Sequence, residues 1–273
     1  MRLLEILMFW CLSASLFAQS TAPERIISLG PAITRQLSAL GVDERIVGVT
    51  TYCNLPNLKD RQRIGTLLEA DVEKIITLRP DIVIATSLTN PKTIQKLRNL
   101  KINVIILEDS ENFYQLSQQF LKLSRIVDRE QIAKRIINTA KERVALIQQK
   151  VKNLHKVRVI VQVGANPLWV ATKNSLINDF IELAGGTNVG PTGTIGLISR
   201  EYMVKNNPEV IIITTMGIEG EREKEIWKRF PTIDAVKNGN IHLIDPYKIG
   251  SPTPVSFPET LEEIAKLLHP EIE

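Results

Sequence analysis

Two stretches of the chain, EKIITLRPDIVIAT at residues 73–86 and EYMVKNNPEVIIIT at residues 201–214, align without a gap at a constant offset of 128 residues. Glu73 and Glu201, Pro80 and Pro208, Ile84 and Ile212, Thr86 and Thr214 coincide. Each copy reads as a short helix, a proline that stops it, an acidic residue and a buried strand, because proline cannot continue a helix and biases its neighbour toward extended backbone. A repeat of this length governs everything read around it. It predicts two related α/β lobes.

Further apolar runs lie at 25–29, 46–49 and 104–107 in the first half and at 157–163 and 241–244 in the second. Their length and lack of alternation predict strands buried on both faces of a parallel sheet. Between them, 71–78, 91–100, 175–184 and 221–230 carry the apolar spacing of covering helices. Segment 128–153 differs. Ala133, Ile137, Ala140, Val144, Ile147 and Val151 alternate steps of four and three on a background of Lys, Arg, Glu and Gln, which predicts one helix of roughly 39 Å. A stripe of this kind also serves a coiled-coil dimer, but fewer than four heptads with α/β segments on both sides favour a spine packed along two lobes. The fold class expected is therefore α/β, two Rossmann-like lobes joined by a single long spine helix with a ligand cleft between them. The N-terminal lobe is set at 24–125, the linker with its spine helix at 126–154 and the C-terminal lobe at 155–273. Ligands of open α/β sheets gather at the carboxyl ends of strands and at lobe interfaces.

The 273 residues, with 34 basic and 30 acidic side chains interspersed, give a net charge of +4. That balance describes a solvated surface, not a phosphate-binding stripe, so no nucleic-acid partner is expected. Residues 1–18 read as a cleavable export signal, with Arg2, an apolar stretch at 3–17 interrupted by Glu5, and a cut after about Ala18. The run is short for a membrane anchor. Cys11 lacks the flanking residues of a lipoprotein signal, and its removal leaves Cys53 without an intramolecular disulfide partner in an oxidising compartment. Cys53 is expected to be a small buried residue.

No dinucleotide, phosphate-loop or nucleophile-elbow motif is present, and His155, His242 and His269 stand singly, without metal-ligand spacing. His269, beside Pro270, reads as a helix-end residue. No catalytic residue and no protein metal site is assigned.

Taken in order, the segments 25–32 (RIISLGPA), 47–53 (VGVTTYC), 72–84 (VEKIITLRPDIVI), 167–171 (PLWVA), 183–188 (LAGGTN) and 267–270 (LLHP) resemble the periplasmic substrate-binding proteins of ABC importers for cobalamin, ferric siderophores and haem. The resemblance runs from about residue 24 to the end. It implies two lobes joined by one long helix, limited hinge motion, and a monomer that delivers a metal chelate to an ABC permease dimer at the membrane. It also implies a role for the duplicated glutamates, since relatives place one Glu on each lobe to dock into permease arginines, and those positions fall on Glu73 and Glu201. A Glu in a first helical turn also serves its own helix dipole without any partner.

Candidate cleft loops lie at 28–31, 51–53, 86–88, 166–169, 193–196, 216–217 and 245–248. From these, Pro31, Tyr52, Trp169, Ile195, Met216 and Tyr247 are the expected ligand-binding residues. Tyr52 and Trp169 resemble the aromatic pocket positions of cobalamin-binding relatives; ordinary lobe core is the alternative for either ring, less so for Tyr52 in its polar loop near Pro56. Leu67 and Ile195 stand where those relatives carry tryptophans, and the 252–255 segment PTPV replaces a common Pro-Gly-Pro-Arg, so an anion-contacting arginine is missing. A haem would require an axial ligand, and Tyr52 is the available one. The bound ligand is expected to be a corrinoid or a ferric siderophore, held non-covalently. A haem-binding protein, or a chelatase or hydrolase on the same scaffold, are the alternatives. Gly185 and Gly186 read as a helix C-cap.

Overall fold

The structure, a computed structural model, describes residues 22–214 and 220–272. The export signal and Met216 lie outside the described residues. In chain order the first lobe contains β1 (Ile26–Ser28), α1 (Pro31–Ala39), β2 (Ile46–Val49), β3 (Gln62–Arg63), α2 (Val72–Thr77), β4 (Ile82–Thr86), α3 (Pro91–Asn99) and β5 (Val104–Leu107). Then come α4 (Phe113–Ile126) and α5 (Glu130–Val151). The second lobe contains β6 (Val157–Gly164), β7 (Trp169–Val170), α6 (Leu176–Leu183), β8 (Gly186–Asn188), α7 (Arg200–Asn206), β9 (Val210–Ile213), α8 (Gly220–Trp227), α9 (Asp234–Lys237), β10 (Ile241–Leu243), α10 (Pro246–Gly250) and α11 (Phe257–Leu268).

The first sheet has the order β3-β2-β1-β4-β5, and all its pairings are parallel. In the second, β9 and β10 flank β6 on one side, while β8 pairs with the start of β6 and β7 returns antiparallel along its end. The parallel order β8-β6-β9-β10 repeats β2-β1-β4-β5 of the first lobe. Alternate residues of each strand feed opposite faces: Ile82 and Ile84 join one core cluster while Val83 and Ala85 join another. Val210 and Ile212 separate from Ile211 and Ile213 in the same way. Both faces are covered by helices, which is why these strands read as unbroken apolar runs.

The repeat extends into a shared clamp. In the first lobe the Asp81 N–H donates to the Arg25 carbonyl at 2.9 Å, and the Asp81 carboxylate accepts the Arg25 N–H at 2.8 Å. In the second, Glu209 makes the same exchange with Arg158, at 2.8 and 2.9 Å. Each arginine then reaches back to the carbonyl chain ahead of the proline, Arg25 to Leu78 and Arg158 to Asn207. Arg79 and Asn207, the residues before the two prolines, both adopt left-handed backbone, with φ of 45° and 40°. The acidic residue after each proline thus pins the first strand of its own lobe, a role that the motif alone did not disclose.

The spine helix forms with the predicted buried stripe, all six residues of it. It is shorter than expected, 22 residues or roughly 33 Å. Asp128 has φ of 56° and turns the chain between α4 and α5, so the helix cannot begin there. Its stripe is divided between lobes: Ala133 and Ile137 pack in the first core, and Ala140, Val144, Ile147 and Val151 pack in the second. This intramolecular burial uses the face that a coiled-coil dimer would need. A feature not anticipated is that α4 crosses the boundary too, with Phe113 and Leu116 in the second core and Phe120 and Leu123 in the first. Gly185 takes the left-handed turn after α6, φ 83°, as a C-cap glycine should, but Gly186 already begins β8.

Phe257, at the start of α11, stacks on Phe180 with ring centroids 4.0 Å apart and meets Phe113 of α4 at 4.7 Å. It is fully buried. Phe257→Ala is expected to lower unfolding stability by about 3–5 kcal/mol, read by urea denaturation. A loss under about 1 kcal/mol would show that this aromatic cluster does not hold α4 to the second lobe.

Candidate functional site

The carboxyl ends of β4 and β5 open toward the second lobe. There a crevice of ≈ 230 Å³ is bordered by Ile33 and Gln36 of α1, Thr86 at the end of β4, Asp109 beyond β5, and Leu176 and Ile249 from the other lobe. Thr86 falls within a predicted cleft loop, Ala32 lies beside Pro31 and Ile249 directly follows the predicted 245–248 loop, but the 108–110 loop, Gln36 and the residues around Leu176 were not anticipated. The rule that placed ligands at strand ends covers the loop after β5 equally well. Gln36 had no such signal, because nothing in the periodicity of α1 marks a buried amide.

The predicted ligand residues fall into two groups. Tyr52, 45% exposed after β2, meets Tyr247 of α10 across the lobe boundary, where the Tyr247 hydroxyl donates to the Tyr52 carbonyl oxygen at 3.3 Å. The Arg35 guanidinium lies 5.4 Å from the centroid of the Tyr247 ring. Trp169 and Ile195 form the second group. Trp169 is 38% exposed on β7 and faces Gly196, where an added Cβ would collide with the Val170 carbonyl oxygen and stand 2.9 Å from the indole Nε1. A glycine is required there for the indole to lie close to the backbone. Ile195 stands next to it, exposed. Pro31 opens α1 at its first turn. Among the described residues no hydrogen bond or ring contact joins the Tyr52 group to the Trp169 group.

Glu73 and Glu201 occupy the same place in the two lobes, the second residue of α2 and of α7. Both helices are capped by a side chain: Asp71 accepts the Lys74 N–H at 3.1 Å, and Ser199 accepts the Tyr202 N–H at 3.3 Å. Both glutamates are exposed, and among the described residues neither makes an ion pair. The Ser199 hydroxyl and the Glu201 backbone N–H hold the Glu201 carboxyl below its ordinary range, so it is ionised at neutral pH. Its neighbour Arg200 turns inward. That guanidinium pairs with the buried Glu223 at 3.2 Å and lies over the Trp227 ring at 4.4 Å, which ties the start of α7 to the core.

Cys53 is a buried free thiol, as expected, with the Thr34 hydroxyl 3.0 Å from its sulfur. His269 caps α11 and is buried. Among the described residues, no three His, Cys, Asp or Glu side chains gather to hold a metal ion, and no helix is long and apolar enough to cross a membrane.

The sequence of residues 26–248 matches the periplasmic binding protein family. The chain belongs to that family. Among the relatives of this periplasmic binding protein is an uncharacterized ABC transporter substrate-binding lipoprotein, YvrC, of Bacillus subtilis (strain 168), 27% identical over 91% of this chain and 81% of the relative. A vitamin B12-binding protein of Pectobacterium atrosepticum is 24% identical over 78% of this chain and 80% of its own. The crystal structure of a periplasmic heme binding protein from Pseudomonas aeruginosa superposes with a TM-score of 0.80, covering 92% of this chain and 94% of that one at 22% identity. At that identity the likeness carries the two-lobed fold.

The lobes of this binding protein also meet at Asp179 of α6, whose carboxylate accepts the Phe113 N–H of α4 at 2.7 Å. Burial pushes the Asp179 carboxyl above its ordinary 3.8, against the opposing pull of that hydrogen bond. A carboxyl whose folded pKa is raised costs stability as pH climbs from its unfolded to its folded pKa. Asp179→Asn keeps an oxygen for the Phe113 N–H and removes the titration. Urea midpoints measured from about pH 3 to pH 7 are expected to show the wild type losing stability relative to the variant as pH rises through that window. A shift in the opposite direction would mean that the carboxylate is the favoured form.

Proposed function

We propose that this periplasmic binding protein captures a metal chelate, a corrinoid or a ferric siderophore, between its lobes and presents it to an ABC permease. The observation that carries the reading is the crevice at the carboxyl ends of β4 and β5, bordered by both lobes in a fold whose relatives include a vitamin B12-binding protein. Further ligand contacts are assigned to Pro31, Tyr52, Trp169, Ile195, Met216 and Tyr247, of which the described ones lie outside the lining of the crevice itself. The protein performs no catalytic step. It works in the periplasm as a monomer, after removal of residues 1–18. Absorption spectra and mass of whatever co-purifies from the periplasm, with titrations of cyanocobalamin, ferric siderophores and haemin, test the assignment. Haemin alone binding moves it to the haem-binding alternative, and no chelate binding overturns it.

A flat macrocycle gains from offset stacking and area burial on an exposed indole. Trp169→Ala is expected to weaken chelate binding by an amount on the order of 1–3 kcal/mol while leaving the unfolding midpoint in place. Unchanged affinity with lowered stability would make Trp169 a packing residue instead.

Glu73 and Glu201 present equivalent carboxylates on the two lobes, which suits an acceptor with two-fold symmetry, and charge of this kind speeds encounter more than it deepens affinity. Support comes from their shared position, their exposure and the lack of an ion pair to either among the described residues. The double variant Glu73→Lys, Glu201→Lys is expected to bind ligand as the wild type does and to fail in uptake by cells. Uptake at the wild-type rate would remove the docking role.

A further inference from the structure

Two residues that border the interlobe crevice each carry a buried side-chain oxygen with no hydrogen-bond partner within the described protein: Oε1 of Gln36 and Oγ1 of Thr86. Gln36 is 1% exposed, and an unpaired polar atom at such a place costs free energy that a purely structural residue would avoid. The orientation of its amide follows from its neighbours. Gln119 Nε2 donates to the carbonyl oxygen of Glu108, which can only accept. That leaves Gln119 Oε1 facing Gln36, and Gln36 Nε2 donates to it at 2.8 Å. The relay is anchored at a group that cannot reverse, so Gln36 is left with its oxygen free.

Among the described residues that border the crevice, the charged ones are Glu108 and Asp109, with no lysine, arginine or histidine, so a carboxylate brought into it would meet an unpaired acceptor and two acidic residues. A neutral N–H donor would satisfy the oxygen at no such penalty. We propose that Gln36, with Thr86 beside the same crevice, forms a subsite for a primary carboxamide of the ligand. It would select a chelate decorated with amides, as corrinoids are, against one that carries carboxylates, as haem does through its propionates. Gln36 Oε1 takes one amide N–H. The Thr86 hydroxyl, which both donates and accepts, takes the amide oxygen or its second N–H. This rests on the reading of the protein as a metal-chelate carrier and narrows the class of chelate. A site built to pair a hydrogen-bonding group rejects the analogue that cannot supply it more strongly than an apolar pocket rejects a change of size.

The probes are dicyanocobinamide, whose periphery is amidated, dicyanocobyrinic acid, whose periphery is carboxylate, and haemin, each titrated into the full mature protein. The amidated corrinoid is expected to bind about a hundredfold more tightly than the acid. Gln36→Met keeps the length of the side chain and removes the acceptor. It is expected to lose about tenfold in affinity for dicyanocobinamide, with no loss for the acid. The substitution also removes the Nε2–H that donates to Gln119 Oε1, so a fall in the thermal midpoint of the ligand-free protein reports that lost hydrogen bond, and the amide subsite is read from the difference between the two corrinoids. Should Gln36→Met fail to fold, Thr86→Val removes the second oxygen at constant shape and is expected to narrow the same preference. Equal affinity for the two corrinoids, or an unchanged preference in both variants, overturns the amide subsite and leaves chelate capture standing. Binding of haemin but of neither corrinoid also overturns the subsite while keeping a chelate carrier. If none of the three binds and no ferric siderophore does, the carrier reading itself falls.

Discussion

One apolar stripe on α5 has to serve two cores. Ala133 and Ile137 close the first and the four residues from Ala140 to Val151 close the second, so neither lobe completes its hydrophobic layer without the same helix. Most helical stability in proteins comes from packing of such a face and not from propensity. The relation between the lobes, the position of the crevice and the places of Glu73 and Glu201 all follow from where this helix lies.

Within each lobe the ordering constraint is local and is used twice. An acidic residue after a proline exchanges backbone and side-chain hydrogen bonds with the arginine that leads into the first strand, Asp81 with Arg25 and Glu209 with Arg158. That exchange sets the register at which the central strand enters the sheet, and the strand's carboxyl end then delivers its loop to the lobe boundary. The duplicated helix ahead of the proline is thereby fixed at an equivalent place on both lobes. Its exposed glutamate is carried on a frame pinned from beneath, by Arg200 and Glu223 in the second lobe.

Much of the framework was legible because burial on both faces leaves a plain mark on sequence. Ile82–Thr86 and Val210–Ile213 could be read as strands from apolar content alone, and the spacing from Ala133 to Val151 declared the spine. What stayed hidden depends on contacts distant in the chain. β7 and β8 are short and take their identity from pairing with β6, not from their own composition. The crossing of α4 into the second core turns on Phe113 meeting Phe257, which no local pattern encodes. At the site, Tyr52 and Trp169 could be picked out as rings in polar loops, whereas Gln36 looked like an ordinary polar position on an amphipathic helix. Only its relay through Gln119 to a backbone carbonyl distinguishes it.

The helical pair at the lobe boundary has a consequence for traffic at the membrane. Two antiparallel helices, α4 and α5, both have side chains in each core, so separating the lobes means shearing one packed interface and exposing part of two others. Wide opening would on that account be costly, and the separation between the carboxylates on α2 and α7 would then vary little with occupancy. A transporter that recognised only that separation would treat empty and loaded carriers as equivalent competitors. Discrimination between them would then have to come from the mouth of the crevice, where cargo alters the surface itself, and net flux would depend on the proportion of carriers that arrive loaded.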